Sequence, residues 1–284
     1  MPLLHLEDGA KLAYADQGEG APILLVHGWA AHGGFFDDLR DRLSKTHRVL
    51  VPTLRGHPGS ERGEAPLTIG ALASDLSRLV EALDLHGVVA LGWSMGAMAL
   101  WDAYPRLAKR IDAIIVSDMG PKLLNGEDWR FGLGGGYSAE DAAATLAEIE
   151  SDWPAYVARF APRMFAAQTR ASRPDLVDWA TREMTGADKA AMRDLWASMI
   201  EQDFRAALRA IEAPMLVIRG AESSVHPEAA IQFVASAAPR GARVTIPGAG
   251  HVPHLEAPEL FFEHVEAFAR NPRRRDALRE GVHP

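Results

Sequence analysis

The sequence predicts an α/β fold: a mostly parallel, eight-stranded sheet flanked by helices, with an α-helical insertion after the sixth strand. Three observations carry this expectation. Short apolar runs of strand length alternate with segments of helical periodicity, the rhythm of a parallel sheet covered on both faces. That rhythm stops after Asp118 and resumes only at Pro214, about 95 residues later. The chain has 284 residues, 48% of them hydrophobic and 24% charged, so one large domain, or one domain with an insertion, can bury a sizeable core.

Taken in order, Leu3–Glu7 and Lys11–Ala15 flank Asp8-Gly9, a hairpin pattern. Pro22–His27 (PILLVH) is a continuous apolar run, as a strand buried on both faces requires. Gly33–Ser44 carries Phe35, Phe36, Leu39 and Leu43 at helical spacing. Arg48–Pro52 reads as strand. Thr68–Leu85 reads as helix, with Ile69, Leu72, Leu76, Leu79, Val80 and Leu83 on one face. Gly87–Leu91 is strand, Ser94–Leu107 helix and Ile111–Ser117 strand. The insertion spans about Met119–Leu208 and holds Trp129, Trp153, Trp179 and Trp196, four of the seven tryptophans. It divides the chain into a core domain, 1–118 with 209–284, and a helical cap, 119–208. Within it, Gly132-Leu133-Gly134-Gly135-Gly136 predicts a flexible loop. Pro214–Arg219 is again strand, followed by helix over Pro227–Ala237, strand over Arg243–Ile246 and a last helix over Leu255–Ala269. The tail from Asn271, with Arg273-Arg274-Arg275, reads as a solvated end.

Composition excludes several functions. Thirty Lys and Arg against 38 Asp and Glu leave a net charge of −8, the wrong sign for a nucleic-acid binder. With no cysteine there is no disulfide scaffold, Cys nucleophile, zinc–thiolate site or iron–sulfur cluster. The N-terminus has neither the basic start nor the apolar stretch of a secretory signal. Apolar runs such as Ile23–Val26 fall far short of the ~20 residues that cross a bilayer. The expectation is a cytoplasmic protein with no membrane insertion. No heptad or exposed apolar repeat announces an oligomeric state.

Three segments carry chemistry. Gly92-Trp93-Ser94-Met95-Gly96 fits G-x-S-x-G with a strand before it and a helix after it. Its small residues permit a tight turn that lifts the Ser94 hydroxyl clear of the sheet. His27-Gly28-Trp29 follows a strand at the same sheet end, where a backbone N–H can face a developing oxyanion; a second N–H comes from Met95. His27 itself reads as structural. Gly248-Ala249-Gly250-His251 places a histidine on a glycine-flanked loop, suited to act as the base a serine needs. His251 and His254 form an H-x-x-H pair, but off a helix and without a third ligand, so no metal and no cofactor is expected.

Together with Leu54-Arg55-Gly56-His57-Pro58-Gly59-Ser60, these motifs make the chain resemble α/β-hydrolase fold proteins with a helical cap, over roughly Leu3–Arg270. Within that superfamily it is similar to carboxylesterases of the pimeloyl-carrier-protein methyl ester esterase kind, which also pair an HGW with a GWS-x-G. The resemblance implies Ser94 as nucleophile, His251 as base, and the Trp29 and Met95 amides as oxyanion hole. It makes the Arg55–Ser60 stretch a fold marker, with Arg55 and His57 structural. The acid departs from the pattern. The family usually has Asp three residues after the Gly ending the seventh strand; here that Gly is Gly220 and the place is held by Ser223. Asp118, at the end of the sixth strand, is the first choice of acid and Glu222 the second. Trp93, Trp129, Phe131, Trp153 and His254 are the candidate substrate-pocket residues. The implied function is a serine hydrolase that cleaves a small-molecule carboxylic ester through an acyl-serine intermediate. Thioesterase, lactonase and slow-turnover ligand receptor are the alternatives. Haloalkane dehalogenases and epoxide hydrolases of this fold use an Asp nucleophile, which Ser94 argues against.

Overall fold

The computed structural model describes residues 1–271, so the Arg273-Arg274-Arg275 expectation lies outside the described residues. Eight strands form one sheet: β1 (Leu3–His5), β2 (Lys11–Gln17), β3 (Pro22–Val26), β4 (Arg48–Pro52), β5 (Val88–Trp93), β6 (Ile111–Ser117), β7 (Met215–Gly220) and β8 (Gly241–Ile246). Their order is β1-β2-β4-β3-β5-β6-β7-β8. β1 and β2 form the antiparallel edge, joined at Asp8-Gly9, and β3 to β8 pair in parallel. The uninterrupted apolar runs are explained by position: all six residues of β5 and all six of β7 are buried, covered from both faces.

Three helices lie in the first half: α1 (Asp37–Leu43), α2 (Ile69–Ala82) and α3 (Met95–Leu107). Thr68 caps α2 by accepting the Ala71 N–H. The connection from β6 to β7 contains α4 (Ala139–Ser151), α5 (Trp153–Phe160), α6 (Ala167–Ser172), α7 (Pro174–Thr185) and α8 (Lys189–Ile200). Ser138 and Asp141 form a capping box on α4, and Asp188 caps α8. The C-terminal part supplies α9 (Glu228–Ala237), α10 (Pro253–Glu256) and α11 (Pro258–Arg270). α2 packs on α3, α1 on α11, and α9 on β7 and β8. Among the described residues no helix is long and apolar enough to cross a membrane.

Three expectations change. The single helix expected over Leu255–Ala269 is two, because Ala257 precedes Pro258 and is pushed out of helical conformation (φ −132°). Ser94 is not the first residue of its helix; it stands before Met95 at φ 53°. The Gly132–Gly136 stretch is tied down: Gly132, Leu133 and Gly134 donate their N–H groups to Asn125 Oδ1, Leu123 O and Val225 O at 2.7–2.9 Å.

The fold-marker loop is structural in its contacts. Arg55 is buried and pairs with both Asp75 on α2 and Asp8 in the β1–β2 turn, each at 2.5 Å. It staples the loop after β4 to two distant elements. His27 accepts the Leu54 N–H at Nε2 (2.9 Å), so its proton sits on Nδ1, which donates to Gly28 O (2.8 Å). Burial pushes its pKa well below the ordinary histidine value, keeping the ring neutral for this bridge.

Candidate active site

Four neighbouring strands, β5, β6, β7 and β8, end at the same edge, and their last residues feed four loops into one place. Trp93 pairs with Ser117 across β5–β6, Ser117 with Ile218 across β6–β7, and Gly220 with Ile246 across β7–β8. In open parallel sheets this carboxyl edge is where ligands bind.

Ser94 leaves β5 at φ 53°, ψ −124°, a conformation costly for a side-chain-bearing residue. Surrounding contacts hold it there. The Ser94 N–H donates to Ser117 O (3.0 Å) and the Ala97 N–H to Ser94 O (2.8 Å). Glycines on either side let the chains close in. A Cβ at Gly92 would lie 2.5 Å from Ala97 N, and one at Gly96 2.2 Å from Val26 O. The turn therefore sits directly over β3, and Met95, the first residue of α3, has a backbone N–H with no acceptor inside the helix.

Asp118 follows β6, also at positive φ (47°), with its N–H spent on Ile218 O (2.8 Å). Its carboxylate is fully buried, and Oδ2 accepts from His251 Nδ1 at 2.7 Å. That bond fixes the histidine tautomer and leaves Nε2 free to accept a proton. Oδ2 also accepts from the Ser223 hydroxyl at 2.5 Å. The position left without an acid thus supplies a donor to the carboxylate on the adjacent strand. Glu222 is exposed, and the His251 nitrogen it would need is already bonded to Asp118, so the second-choice acid has no geometric support. Ser223, the next residue, is buried.

Several further bonds hold the loop bearing His251. Its N–H donates to Met164 O (2.7 Å), its carbonyl accepts from Trp93 Nε1 (2.9 Å), and the neighbouring Gly250 N–H donates to Glu256 Oε2 (2.6 Å). The other oxygen of Glu256 accepts from Ala166 N (2.7 Å). The His251 loop is thereby fastened to the segment between α5 and α6.

Ser94, His251, Trp29 and Trp93 all line one cavity, and Leu123, Leu133, Phe160, Met164, Trp196, Met199, Val225 and His226 complete its wall. It offers about 20 Å³, room for about one water. A second cavity of about 340 Å³ adjoins it, sharing Leu133, Phe160, Trp196 and Val225, with Arg159, Arg163 and Tyr137 further out. A larger cavity of about 600 Å³ lies far from this chemistry, between β1 and α2 around the Arg55 ion pairs.

Of the expected pocket residues, only Trp93 lines the inner cavity. Trp129 is buried elsewhere, against Phe131, Phe233 and the guanidinium of Arg205. Phe131 is 43% exposed. Trp153 stands one layer back, edge-on to Trp29 at 5.4 Å, with its Nε1 bonded to Thr185 O. His254 is buried behind Trp93 (4.8 Å) and Phe36 (4.9 Å), not at a rim, and its ring nitrogens have no partner among the described residues. Sequence reasoning missed Phe160, Met164 and Trp196, which reach the site only through the folding of the insertion. It also missed His226, at 5.6 Å from the His251 ring; its place just beyond the carboxyl end of β7 was the available signal. Burial beside His251 lowers the His226 pKa to about 3, so it is neutral.

Residues 23–264 match the Alpha/beta hydrolase family. A pimeloyl-[acyl-carrier protein] methyl ester esterase of Nitrosospira multiformis is 28% identical over 261 residues, which cover 89% of this chain and 96% of that protein. Among solved structures, an esterase from Exiguobacterium antarcticum superposes with TM-score 0.88 at 20% identity, covering 95% of this chain and 99% of that one. The enol-lactonase from Burkholderia xenovorans gives 0.84 at 22% identity, covering 95% and 100%. At these identities the two structures speak for the fold alone.

Proposed function

The chain belongs to the alpha/beta hydrolase family, and from that premise we propose that it is a serine esterase working through an acyl-serine intermediate. The observation that carries the proposal is the buried 2.7 Å bond from His251 Nδ1 to Asp118, with Ser94 and His251 in the wall of one cavity.

In this reading Ser94 Oγ attacks the ester carbonyl while His251 Nε2 takes its proton. The N–H groups of Trp29 and Met95 receive the oxyanion. Collapse breaks the bond to the alcohol, which leaves with the proton from His251. Water then attacks the acyl-serine, again giving its proton to His251, and the acid departs as Ser94 regains its hydrogen. Asp118 stays ionised and holds the imidazolium. We further propose that 119–208 acts as a cap over a core made of 1–118 and 209–284. Leu133, Phe160, Met164 and Trp196 from this stretch line the cavity of Ser94, which supports that role. Because the inner cavity has room for about one water, the acyl chain enters by displacing the Leu133, Phe160, Trp196 and Val225 side chains that separate it from the outer one.

The named relative suggests methyl esters of medium-chain acids as first substrates. The test is methanol release from such esters, run beside p-nitrophenyl esters from acetate to decanoate, with Ser94→Ala as blank. Multiple turnover with a chain-length optimum, lost in the variant, is expected. Equal rates in wild type and Ser94→Ala would sink the proposal.

A further inference from the structure

We propose that Ser223 is a positioning residue for the acid, a task created by the move of that acid from the end of β7 to the end of β6. The inference rests on the reading of Asp118 as the acid given above.

Asp118 has two carboxylate oxygens in a fully buried site, and they are treated unequally. Oδ2 accepts both side-chain donors, His251 Nδ1 at 2.7 Å and Ser223 Oγ at 2.5 Å. Oδ1 is buried and has no hydrogen-bond partner among the described residues. The ring of His251 is the group that changes charge during turnover, so the bond to it cannot by itself define where the carboxylate points. Ser223 is the other side-chain anchor, and it is rigid. Its N–H donates to Gly220 O (3.1 Å) and its carbonyl accepts from Arg219 Nη2 (3.3 Å), so the main chain that carries the hydroxyl is held on both sides.

Two consequences follow. First, without the hydroxyl, a buried anion keeps a single donor, and it rotates or draws water to recover the loss. His251 is then held less often in the productive orientation. Second, a hydrogen bond to the charged form of a carboxylate lowers its basicity. Ser223 therefore weakens the pull of Asp118 on the imidazolium. Removing it strengthens that pull.

The test is the pH profile of kcat/KM for Ser223→Ala and Ser223→Thr, with Asp118→Asn measured separately. Ser223→Ala is expected to lower kcat about tenfold at pH 8, the size of one bond to a charged group. KM should stay within about twofold, and the acid limb of the profile should move to higher pH. Ser223→Thr retains the hydroxyl and should restore both. If the alanine variant does not fold, Ser223→Cys, a weaker donor of similar size, must show the same limb shift in smaller measure. The proposal is overturned if the variant lacking the hydroxyl keeps the wild-type rate and limb, or if Ala and Thr lose rate alike with the limb unmoved. An Asp118→Asn variant with wild-type turnover overturns the acid assignment itself, whatever the Ser223 variants do.

Discussion

Replacing Glu256 by Gln tests how His251, the proposed base, is held. One Glu256 oxygen accepts from Gly250 N at 2.6 Å and the other from Ala166 N at 2.7 Å, so a single carboxylate joins the His251 loop to the segment between α5 and α6. The approach is close enough that a Cβ on Gly250 would lie 2.5 Å from Met164 O. Glutamine has the same length but only one acceptor. One N–H is left facing an NH₂ group, and the other trades a charged acceptor for a neutral one. With hydrogen bonds to charged groups worth about 1.5–3 kcal/mol and neutral ones about 1, the net loss is about 2–5 kcal/mol. For a chain of this size that lowers Tm by about 4–20 °C. Catalysis should suffer as well, because a shift of about 1 Å in a reacting group can cost about 100-fold. We expect kcat to fall about 10- to 100-fold with a smaller change in KM. Thermal unfolding followed by circular dichroism, with initial rates on the best ester, reads both. A Tm within one degree of wild type together with unchanged kcat would refute the clasp.

Further outcomes are expected. Asp118→Asn should lower kcat by about 10³- to 10⁴-fold through the wrong histidine tautomer, whereas Glu222→Gln should leave the same ester assay unchanged. Stability should fall with acid. Burial lowers His57 to about 4 and both His226 and His254 to about 3. Between about pH 6.5 and these values the unfolded chain binds more protons, so each histidine withdraws about 1.4 kcal/mol per pH unit as pH falls. His254→Leu should flatten that slope in urea melts from pH 7 to pH 5; an identical slope would contradict it. Gly96→Ala should yield little folded protein in a solubility and circular-dichroism assay, since its Cβ would lie 2.2 Å from Val26 O.

The sheet was legible because its central strands are buried on both faces. Runs such as PILLV and the wholly buried β5 admit few other readings. The serine turn was legible because the backbone contacts at Gly92 and Gly96 exclude a side chain, leaving a trace in the sequence. The acid was only half legible. Chain order nominates both Asp118 and Glu222, but the choice depends on β6 and β7 lying side by side with Ser117 opposite Ile218, a long-range fact. The pocket was least legible. Composition places Trp129, Trp153 and Trp196 in the insertion but does not say what each packs against; of these three only Trp196 reaches the cavity, while Trp153 backs Trp29. The break at Ala257 was readable from Pro258 and was missed because the apolar periodicity runs through it.

The most direct test of the central claim is intact-mass analysis after treatment with a fluorophosphonate, followed by peptide mapping. One adduct is expected, on Ser94, absent in Ser94→Ala and formed far more slowly in His251→Ala and Asp118→Asn. A protein that stays unlabelled, is labelled at another serine, or labels Ser94 at the wild-type rate without His251 would contradict it.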